Sequence, residues 1–597
     1  MFQYNIAMTD ISHHLARLES AGLVRLAQLE PELEYLFRHA LVQDATYQAM
    51  LKLDRKALHQ RVGEALEHIY PDRIEELAPQ LASHFDAAGD EERALRYYTR
   101  AGDSSLRRYA TAEAIMMYQH AIEIAGRVQT GAEEMIHLYA GQGHAYELSA
   151  RYDDALALYE GLEALGKQQG NQALVLSSLM SRATIFSTYT PHFDAPRGIE
   201  LSNRALGVAE QLDDEKAQAK IHWNLLLVYR SSANAEDALV HSQKSLEIAR
   251  RLKLEEQLAF TLHDSIIPNM ATGKLDTALA MAEESRSMWR AMGNRAMLAD
   301  NLTTSSEMVG LLGRVDESFA LSQEAVEISR SIGNVWGESY ALMSGAFARL
   351  YAGRLGDAVR LLEASLPLAE AAGFGYPQVL GGANLGLIMV YLGNFKRARE
   401  LGESAVAAAK RLMPPAVVVG EYLLALCDAL DGDFAAADIR LAENHLPTEF
   451  PDYTLLTLLA SVEANIRLIE GKPDQCLARI DKALSAVPPE TPPFLLNTEP
   501  LLSRARALAA LGRNEEARAE FMHAIEISDK FESLYRRWDA LAGLAGAEAA
   551  LGNDKSAQKA RKQARKALVA LIATLDNPAL EATFRALPEV AAVLDPK

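Results

Sequence analysis

The chain has 597 residues, which is too long for one hydrophobic core, so the protein either divides into several domains or builds its core by repetition. Hydrophobic residues form 49% of the chain and charged residues 23%, a balance that excludes general disorder. The formal charge of −20 disfavours broad attraction to nucleic-acid phosphates or anionic lipids, and two cysteines are too few for a disulfide framework or a thiolate metal site.

The beginning of the chain carries no targeting or membrane signal. Residues 1–14 lack a basic start followed by an apolar run, and no stretch of the sequence reaches the roughly 18 uninterrupted apolar residues of a membrane-spanning helix. We therefore expect a cytoplasmic protein that has no membrane as a partner.

Residues 1–60 form the first predicted domain and differ from the rest of the sequence. Apolar residues at helical spacing predict a helix over 10–21, ended by Gly22. Two short apolar runs, 23–25 and 35–37, predict strands on either side of a polar turn. A helix followed by a two-stranded hairpin is the order of a winged helix, so we predict a small winged-helix-like segment.

A winged helix raises the alternative of a DNA-binding transcriptional regulator. Arg17 is the only lysine or arginine of the predicted helix, and the turn carries Glu30, Glu32 and Glu34 where contacts to phosphate need basic residues. We keep DNA binding as the alternative and favour a packing module that has no nucleic acid as a partner.

Residues 61–109 form a predicted helical junction, and a series of motifs runs into and through it. Residues 37–47 read FRHALVQDATY, residues 81–85 read LASHF, and Leu58-His59 and Ala101-Gly102 complete the series. The series resembles the segment that joins the winged helix of bacterial signal-transduction ATPases of the STAND type to their tetratricopeptide region. Such proteins are often headed by a class III adenylate or guanylate cyclase domain. The resemblance implies an ATPase or cyclase module, encoded upstream, as a partner.

Catalytic and metal-binding patterns are missing from the sequence. His39, His59 and His84 are widely separated and lack the spacing of a metal site, so we interpret them as hydrogen-bonded residues that fix contacts between helices. The sequence has no Gly-x-x-x-x-Gly-Lys-Ser/Thr phosphate loop and no Gly-x-Ser-x-Gly elbow. We predict no enzyme activity, no catalytic residue, no metal and no cofactor.

A regular repeat occupies most of the remaining chain. Gly273, Gly313, Gly353 and Gly393 lie 40 residues apart, and each separates two segments with apolar residues at helical spacing. The repeated unit is therefore predicted to be an antiparallel helix pair. Small residues recur at two fixed positions, where the two helices of a pair would approach closely: five residues after the turn (Ala278, Ser318, Ala358, Ala398) and seven before it (Ser306, Ala346, Gly386).

This pattern resembles the tetratricopeptide repeat, whose motif residues are legible in Asn384-Leu385-Gly386 and in residues 512–517, GRNEEA. The resemblance implies an all-α, right-handed superhelical solenoid over 110–573, followed by a C-terminal tail over 574–597. The unit of about 40 residues exceeds the 34 residues of the family, so either the helices or their connections must be longer. Pro268 falls inside a predicted helix and should kink it.

The resemblance also points to a partner-binding groove. In tetratricopeptide proteins the first helices line the concave surface, and a polar residue nine positions before the turn commonly contacts an extended ligand. We therefore expect a protein or peptide in the groove, with ordinary solvent-facing polarity as the equally weighted alternative. The residues at this position are Asn224, Asp264, Thr304, Ser344 and Asn384. Trp223 and His263, one position earlier in two of the repeats, are predicted to add contact area.

A basic stripe lies near the end of the solenoid. Lys555, Lys559, Lys562 and Lys566 fall on one face of a predicted helix, and Arg561 and Arg565 lie beside them. We favour a solvated outer face of the last repeat and keep an acidic partner as the alternative. Taken together, the sequence predicts a non-catalytic protein–protein interaction scaffold, the sensor or partner-binding arm of an ATPase- or cyclase-type signalling protein that lacks the nucleotide-binding domain.

Overall fold

The computed structural model describes residues 8–28, 34–188, 190–232, 234–444, 453–487 and 498–595. The chain divides into two compact units, Met1–Ala145 and Tyr146–Lys597. The division made from the sequence, into 1–60, 61–109, 110–573 and 574–597, stays a prediction.

The first unit begins with a helix and a two-stranded antiparallel hairpin. Val24 pairs with Phe37, and the register shifts at a bulge between Leu26 and Gln28. These are the elements and the order that the sequence predicts, whereas their identity as a winged helix stays a prediction. Of the predicted acidic turn, residues 30–33 lie outside the described residues and Glu34 is the first residue of the second strand. The elements of this unit are α1 Met8–Ser20, β1 Val24–Gln28, β2 Glu34–Phe37, α2 Ala40–Ala49, α3 Lys52–Ile69, a 3₁₀ turn Pro71–Arg73, α4 Ile74–Ala88, α5 Glu91–Arg107, α6 Thr111–Ala125 and α7 Ala132–Leu148, whose last residues lie beyond Ala145.

Two of the three histidines singled out in this region join neighbouring helices. The Nδ1 atoms of His59 on α3 and His84 on α4 lie 2.9 Å apart, and Tyr47 on α2 makes a 2.9 Å hydrogen bond to Nε2 of His59. The interpretation of His59 and His84 as residues that fix helix contacts therefore agrees with the structure. His39 precedes α2 and makes no capping bond with its side chain.

The second unit is an array of antiparallel helix pairs, which confirms the all-helical repeat array predicted from the sequence. The first helices of successive pairs are α9 Gln172–Ser187, α11 Glu215–Ser231, α13 Glu255–Asp264 with α14 Ile266–Ala271, α16 Arg295–Leu311, α18 Val335–Tyr351, a π turn Pro377–Gly381 with α20 Gly382–Tyr391, a 3₁₀ turn Pro414–Ala416 with α22 Val417–Leu430, α24 Tyr453–Ile469, α26 Thr498–Ala510 and α28 Arg537–Ala550. The second helices are α8 Tyr152–Gln169, α10 Ala195–Gln211, α12 Ala235–Leu252, α15 Leu275–Ala291, α17 Val315–Ser331, α19 Leu355–Ala371, α21 Phe395–Leu412, α23 Phe434–Glu443, α25 Pro473–Ser485, α27 Asn514–Lys530 and α29 Asp554–Ile572, followed by α30 Pro578–Ala586 and α31 Pro588–Leu594.

The helices of this unit form two layers. Each first helix packs against its own second helix and also against the first helix of the next pair, as α16 does with α17 and α18. The small residues predicted to allow close approach lie in these contacts. The hydroxyl of Ser306 donates to the carbonyl of Ser318, and the hydroxyl of Ser318 donates to the carbonyl of Ser306, each at 2.7 Å.

Longer helices account for the long repeat unit. Between 275 and 371 every helix has 17 residues, and the connections within and between pairs are equally short. Gly293 and Gly313 both adopt a left-handed conformation after a helix, and the next residue bonds back to the last turn, as Arg314 N–H does to the Val309 carbonyl at 2.9 Å. The sequence left open whether helices or connections had lengthened, and the structure assigns the extra residues to the helices.

Pro268 divides one of the first helices into α13 and α14. A proline has no N–H to donate to the carbonyl four residues before it, which belongs to Asp264, and its ring crowds that carbonyl. The helix is interrupted at Ser265, directly after Asp264. The predicted kink is therefore present, and it lies beside two of the predicted groove residues.

The C-terminal helices pack onto turns of much earlier repeats. Phe584 of α30 is fully buried in a core shared with Leu355, Tyr391 and Trp538. The hydroxyl of Thr574 donates to the carbonyl of Gly353 at 3.2 Å. Leu575, Leu580, Phe584 and Val590 therefore belong to the core of the second unit. Among the described residues no helix is long and apolar enough to cross a membrane.

Candidate partner-binding groove

The predicted groove residues lie on first helices that stand side by side in the second unit. Polar, charged and aromatic side chains of α11, α13, α16 and α18 form hydrogen bonds or ion pairs between these helices. Together with Lys220, which lies one turn before Trp223 on α11, we call them the inner-face row. Its members are Lys220, Trp223, Arg230, His263, Asp264, Asp300, Thr304, Glu307 and Tyr340.

Asp264 holds the first part of the row together. The indole N–H of Trp223 donates to Oδ2 of Asp264 at 2.7 Å, and the guanidinium of Arg230 donates to Oδ1 at 2.6 Å. Asp264 is only 8% exposed, so its charge needs both partners. This carboxylate lies directly before the helix break at Ser265 and contacts two side chains of α11, those of Trp223 and Arg230.

His263 links α13 to α16. Its Nε2 atom lies 3.3 Å from Oδ2 of Asp300, and its Nδ1 atom lies 3.3 Å from Nδ2 of the Asn301 side chain. Burial lowers the pKa of His263, but the bond to Asp300 and the nearby charge of Asp264 outweigh that effect, so the pKa lies above its usual value. The ring of His263 thus lies between Asp300 and Asn301 and connects α13 to α16.

Glu307 lies one helical turn beyond Thr304 on α16. Its Oε2 atom accepts a 3.0 Å hydrogen bond from the hydroxyl of Tyr340, whereas its buried Oε1 atom has no hydrogen-bond partner among the described residues. Burial raises the pKa of Glu307 to about 7, and the negative charge of Asp300 adds to the increase. Tyr340 also shares a side-chain hydrogen bond with Thr304.

Lys220 is the exposed end of the row on α11. The surrounding protein lowers the pKa of its amino group, while the carboxylates of Glu147 and Glu256 act in the opposite direction. Burial raises the pKa of Glu147 to about 7, although Glu147 accepts a 2.7 Å hydrogen bond from Tyr159. The side chain of Lys220 is thus exposed, while its amino group lies near two carboxylates in surroundings that lower its pKa.

The structure brings four of the seven predicted contact residues into this row: Trp223, His263, Asp264 and Thr304. The other three make hydrogen bonds elsewhere. Asn224 is fully buried and bonds to Met180 and Thr184 on α9, and Ser344 is buried and bonds to Ser306. Asn384 is half-buried and bonds to the carbonyl of Leu380 in its own helix. The role of all seven residues in partner binding stays a prediction.

Sequence reasoning missed Lys220, Arg230, Asp300, Glu307 and Tyr340. A usable signal was present, because Asp300, Thr304 and Glu307 follow one another at i, i+4 and i+7 and so occupy one face of α16. Lys220 and Tyr340 occupy the same position in their helices as Asp300 does in α16. The prediction considered only the position nine residues before the turn and the one before it.

A separate open cavity of about 490 Å³ lies in the first unit, between α5, α6 and α7. Oδ1 of Asp103 accepts a 2.6 Å hydrogen bond from the hydroxyl of Tyr118 and lies 2.9 Å from Nε2 of His137. Asp103 raises the pKa of His137 through this bond, against the effect of burial. Among the described residues no group of three or more His, Cys, Asp or Glu could hold a metal ion.

Comparison with known proteins places the sequence in no family, since no family model matches it. An uncharacterized protein of Rhizobium meliloti is 32% identical over 107 residues, which are 18% of this chain and 10% of that protein. The aligned stretch thus spans about a tenth of the relative's length.

Several solved helical-repeat structures are similar at low sequence identity. The anaphase-promoting-complex hetero-tetramer Cut9–Hcn1 has a TM-score of 0.48 at 15% identity, covering 92% of this chain and 98% of that chain. A Rap protein complexed with competence and sporulation factor has a TM-score of 0.39 at 13% identity, covering 66% and 99%. A STAND protein with a tetratricopeptide repeat sensor from Pyrococcus horikoshii has a TM-score of 0.35 at 15% identity, covering 76% and 60%.

Proposed function

We propose that this chain is a non-catalytic interaction scaffold that binds a protein or peptide along the inner-face row. The observation that carries this proposal is the unused binding capacity of the row. Trp223 presents a half-buried indole, and Lys220 presents an exposed side chain. An extended polypeptide carries the polar groups that such side chains bind and the apolar groups that an indole contacts.

We further propose that the chain is the sensor arm of a signal-transduction protein with an ATPase or a nucleotide cyclase as its output module. The motif series between residues 37 and 102 supports this role. So do large apolar side chains on α2, on α3 and between them, since Leu41 is 83% exposed, Leu51 73% and Leu53 79%. Exposed leucines of this kind mark surfaces that contact another protein.

The mechanism of such an arm is conformational. A partner bound to the second unit shifts the output module between two states only to the extent that the partner binds the two states with different affinity. The chain itself is expected to hydrolyse no ATP and to make no cyclic nucleotide. Turnover of either kind by the pure protein would contradict the proposal.

Site-specific photocrosslinking tests partner binding by the row. A photoreactive residue at position 220 lies in the row, and the same residue at position 396 lies on the exposed face of α21 as a matched control. We expect adducts with a defined partner from position 220 and not from position 396, and we expect Trp223→Ala to weaken that partner's binding. Identical adducts from both positions would refute binding in the row.

Binding of an output module is tested separately with the exposed leucines. An ATPase or cyclase module supplied as a separate polypeptide should bind the intact chain, and the double variant Leu41→Ser/Leu53→Ser should weaken that binding at least tenfold. Val240→Ser, the same kind of apolar-to-serine change at an exposed residue on α12 of the second unit, is the control. If the leucine variant and the control bind equally well, these leucines do not contact the module.

DNA binding receives no support from the described part of α1. Arg17 is its only lysine or arginine and is exposed. A helix with one cation offers few contacts to phosphate. The transcriptional-regulator alternative is therefore not proposed.

A further inference from the structure

Helix α29, the second helix of the last pair, presents six cations to solvent. Its sequence contains one acidic residue, Asp554, in a chain whose net charge is −20. We call the six cations the basic stripe, and all are exposed: Lys555, Lys559, Arg561, Lys562, Arg565 and Lys566. The stripe from Lys555 to Lys566 is about 16 Å long, at about 1.5 Å per residue.

The basic stripe lacks the ion pairs that other second helices make. Arg250 of α12 pairs with Glu284 of α15 at 3.0 Å, and the same pair recurs between Arg290 and Glu324 at 2.9 Å. Across the part of the chain that the structure describes, no carboxylate lies within ion-pair distance of any of the six cations of α29. Six like charges on one helix without a paired carboxylate repel one another.

An exposed apolar residue extends the lysine face. Val569 lies 14 residues after Lys555, on the same side of the helix as Lys555, Lys559, Lys562 and Lys566. Its side chain is 51% exposed. A solvated end face needs no apolar group at this position. A partner that combines acidic residues with an apolar residue would use both features.

We propose that the basic stripe and Val569 form a docking surface for an acidic, partly apolar polypeptide segment. The surface lies on a second helix, whereas the inner-face row lies on first helices, so this proposal is independent of binding in the row. Charge complementarity selects the partner, because the segment would supply the carboxylates that α29 lacks.

Two other anionic partners fit the structure less well. A membrane-bound amphipathic helix inserts its apolar face among lipids, but the apolar face of α29, with Ala564 and Leu568, is buried in the protein core. Nucleic acid would bring a long row of phosphates against a chain of charge −20, which repels them outside the stripe. A short acidic segment meets only the stripe.

Fluorescence anisotropy with the full chain tests the proposal. The probe is a labelled peptide of glutamates with one central leucine. We expect binding that weakens about tenfold between about 50 mM and 300 mM salt, because exposed ion pairs are screened. The variant Lys559→Gln/Lys562→Gln/Lys566→Gln should weaken binding about tenfold, since each exposed pair contributes modestly and glutamine preserves helix propensity.

A matched control removes the same charge elsewhere. Lys396→Gln/Lys410→Gln/Lys482→Gln changes three exposed lysines on α21 and α25 and should leave binding of the probe within twofold of the unchanged chain. Equal losses in the two triple variants, or equal binding of a peptide with glutamine in place of glutamate, would overturn the proposal. It would also be overturned if a DNA duplex or phosphatidylserine vesicles bound through the stripe while the peptide did not.

Discussion

The indole N–H of Trp538 donates a 2.6 Å hydrogen bond to the hydroxyl of Tyr391, although 147 positions separate the two residues. Both side chains are buried, and Phe584 packs against both rings. The guanidinium of Arg536 lies 4.3 Å from the centre of the Tyr391 ring and donates to Glu499 at 2.6 Å. The last helices of the second unit are therefore held to α20 by a polar and aromatic contact that bridges several repeats.

Removal of the Tyr391 hydroxyl should destabilise this contact. Tyr391→Phe leaves the buried indole N–H of Trp538 without its acceptor, which costs about 1–3 kcal/mol. We expect a lower urea midpoint for Tyr391→Phe than for the unchanged chain, and a still lower midpoint for the single variant Trp538→Phe. In a double-mutant cycle the two changes together should cost less than their sum, because they remove one shared bond. Strictly additive effects would show that the hydrogen bond contributes nothing.

Gly356 at the start of α19 should tolerate no side chain. A Cβ atom there would lie 2.5 Å from the carbonyl oxygen of Thr574 and 2.9 Å from the backbone nitrogen of Asp576. Gly356→Ala should therefore push the C-terminal helices away, at a cost of about 1–3 kcal/mol. Gly207→Ala on α10 is the matched control, because the space around Gly207 is open and alanine favours helix.

Thermal unfolding and limited proteolysis of the two glycine variants provide the measurement. Gly356→Ala should lower the unfolding midpoint and expose residues after Ile572 to protease, whereas Gly207→Ala should match or exceed the midpoint of the unchanged chain. If both variants unfold alike, the packing of Thr574 on α19 does not contribute to stability.

Local sequence features were sufficient to predict the repeat but not the long-range contacts. The glycines at 273, 313 and 353 are turn residues of positive φ, and Ser306 and Ser318 meet where small residues were expected, because both features depend on neighbours within one helix pair. The contact between Tyr391 and Trp538 depends on how the rotation of each repeat adds up over the intervening chain, and no motif encodes that sum.

The candidate groove was predicted only in part, for a related reason. Asn224 and Ser344 occupy the expected position, but the neighbouring first helix packs over each of them and supplies hydrogen bonds. Trp223 and Asp264 are joined by a hydrogen bond directly before the helix break at Ser265. Which polar residues a neighbouring helix covers is a property of helix spacing, and the sequence does not state that spacing.

Lys220 should be an unusually reactive lysine. The surrounding protein lowers the pKa of its amino group, so a larger fraction is uncharged near pH 8 than for an ordinary lysine. We expect faster acylation by an N-hydroxysuccinimide ester at Lys220 than at exposed Lys396, measured by mass spectrometry of peptides. Glu147→Gln removes a charge that raises the pKa of Lys220 and should increase the rate further. Equal rates at the two lysines, or a slower rate in Glu147→Gln, would contradict this description of the row.

Glu307 should make the stability of the second unit depend on pH. Its folded-state pKa of about 7 lies above the value near 4.5 of an unfolded glutamate, so the folded state binds the extra proton and is most stable below about pH 4.5. This contribution is lost as the pH rises from about 4.5 to 7, where a buried charge must form. Glu307→Gln should therefore stabilise the protein by roughly 2 kcal/mol at pH 8 and have little effect near pH 5.

Urea unfolding at the two pH values measures the effect of Glu307. Glu327→Gln, at an exposed residue on α17, serves as the control and should alter the free energy of unfolding only slightly at both pH values. A stabilisation of Glu307→Gln that is the same at pH 5 and pH 8 would show that Glu307 does not titrate in this range.

The pair His222 and His241 should have the opposite pH dependence. Their Nδ1 atoms lie 3.1 Å apart, so one ring must donate and the other accept, and a doubly protonated pair has no acceptor. Burial lowers the pKa of His222 to about 4, with smaller contributions from His241 and Lys244, and burial and Lys244 also lower the pKa of His241 against the effect of Asp237. The folded state therefore binds protons less readily than the unfolded chain. Its stability should be complete above about pH 6.5 and fall as the pH decreases towards 4, by roughly 2–3 kcal/mol.

Substitution of His222 isolates this acid sensitivity. His222→Gln removes the buried titrating group and should flatten the decline of the unfolding midpoint between pH 6.5 and 4, even if it lowers the midpoint at neutral pH through lost packing. His523→Gln changes an exposed histidine on α27 and should leave the decline unchanged. Circular dichroism at 222 nm during thermal unfolding gives both midpoints. An equally steep decline in His222→Gln would locate the acid sensitivity elsewhere, because the pair between α11 and α12 would then contribute no proton-linked stability.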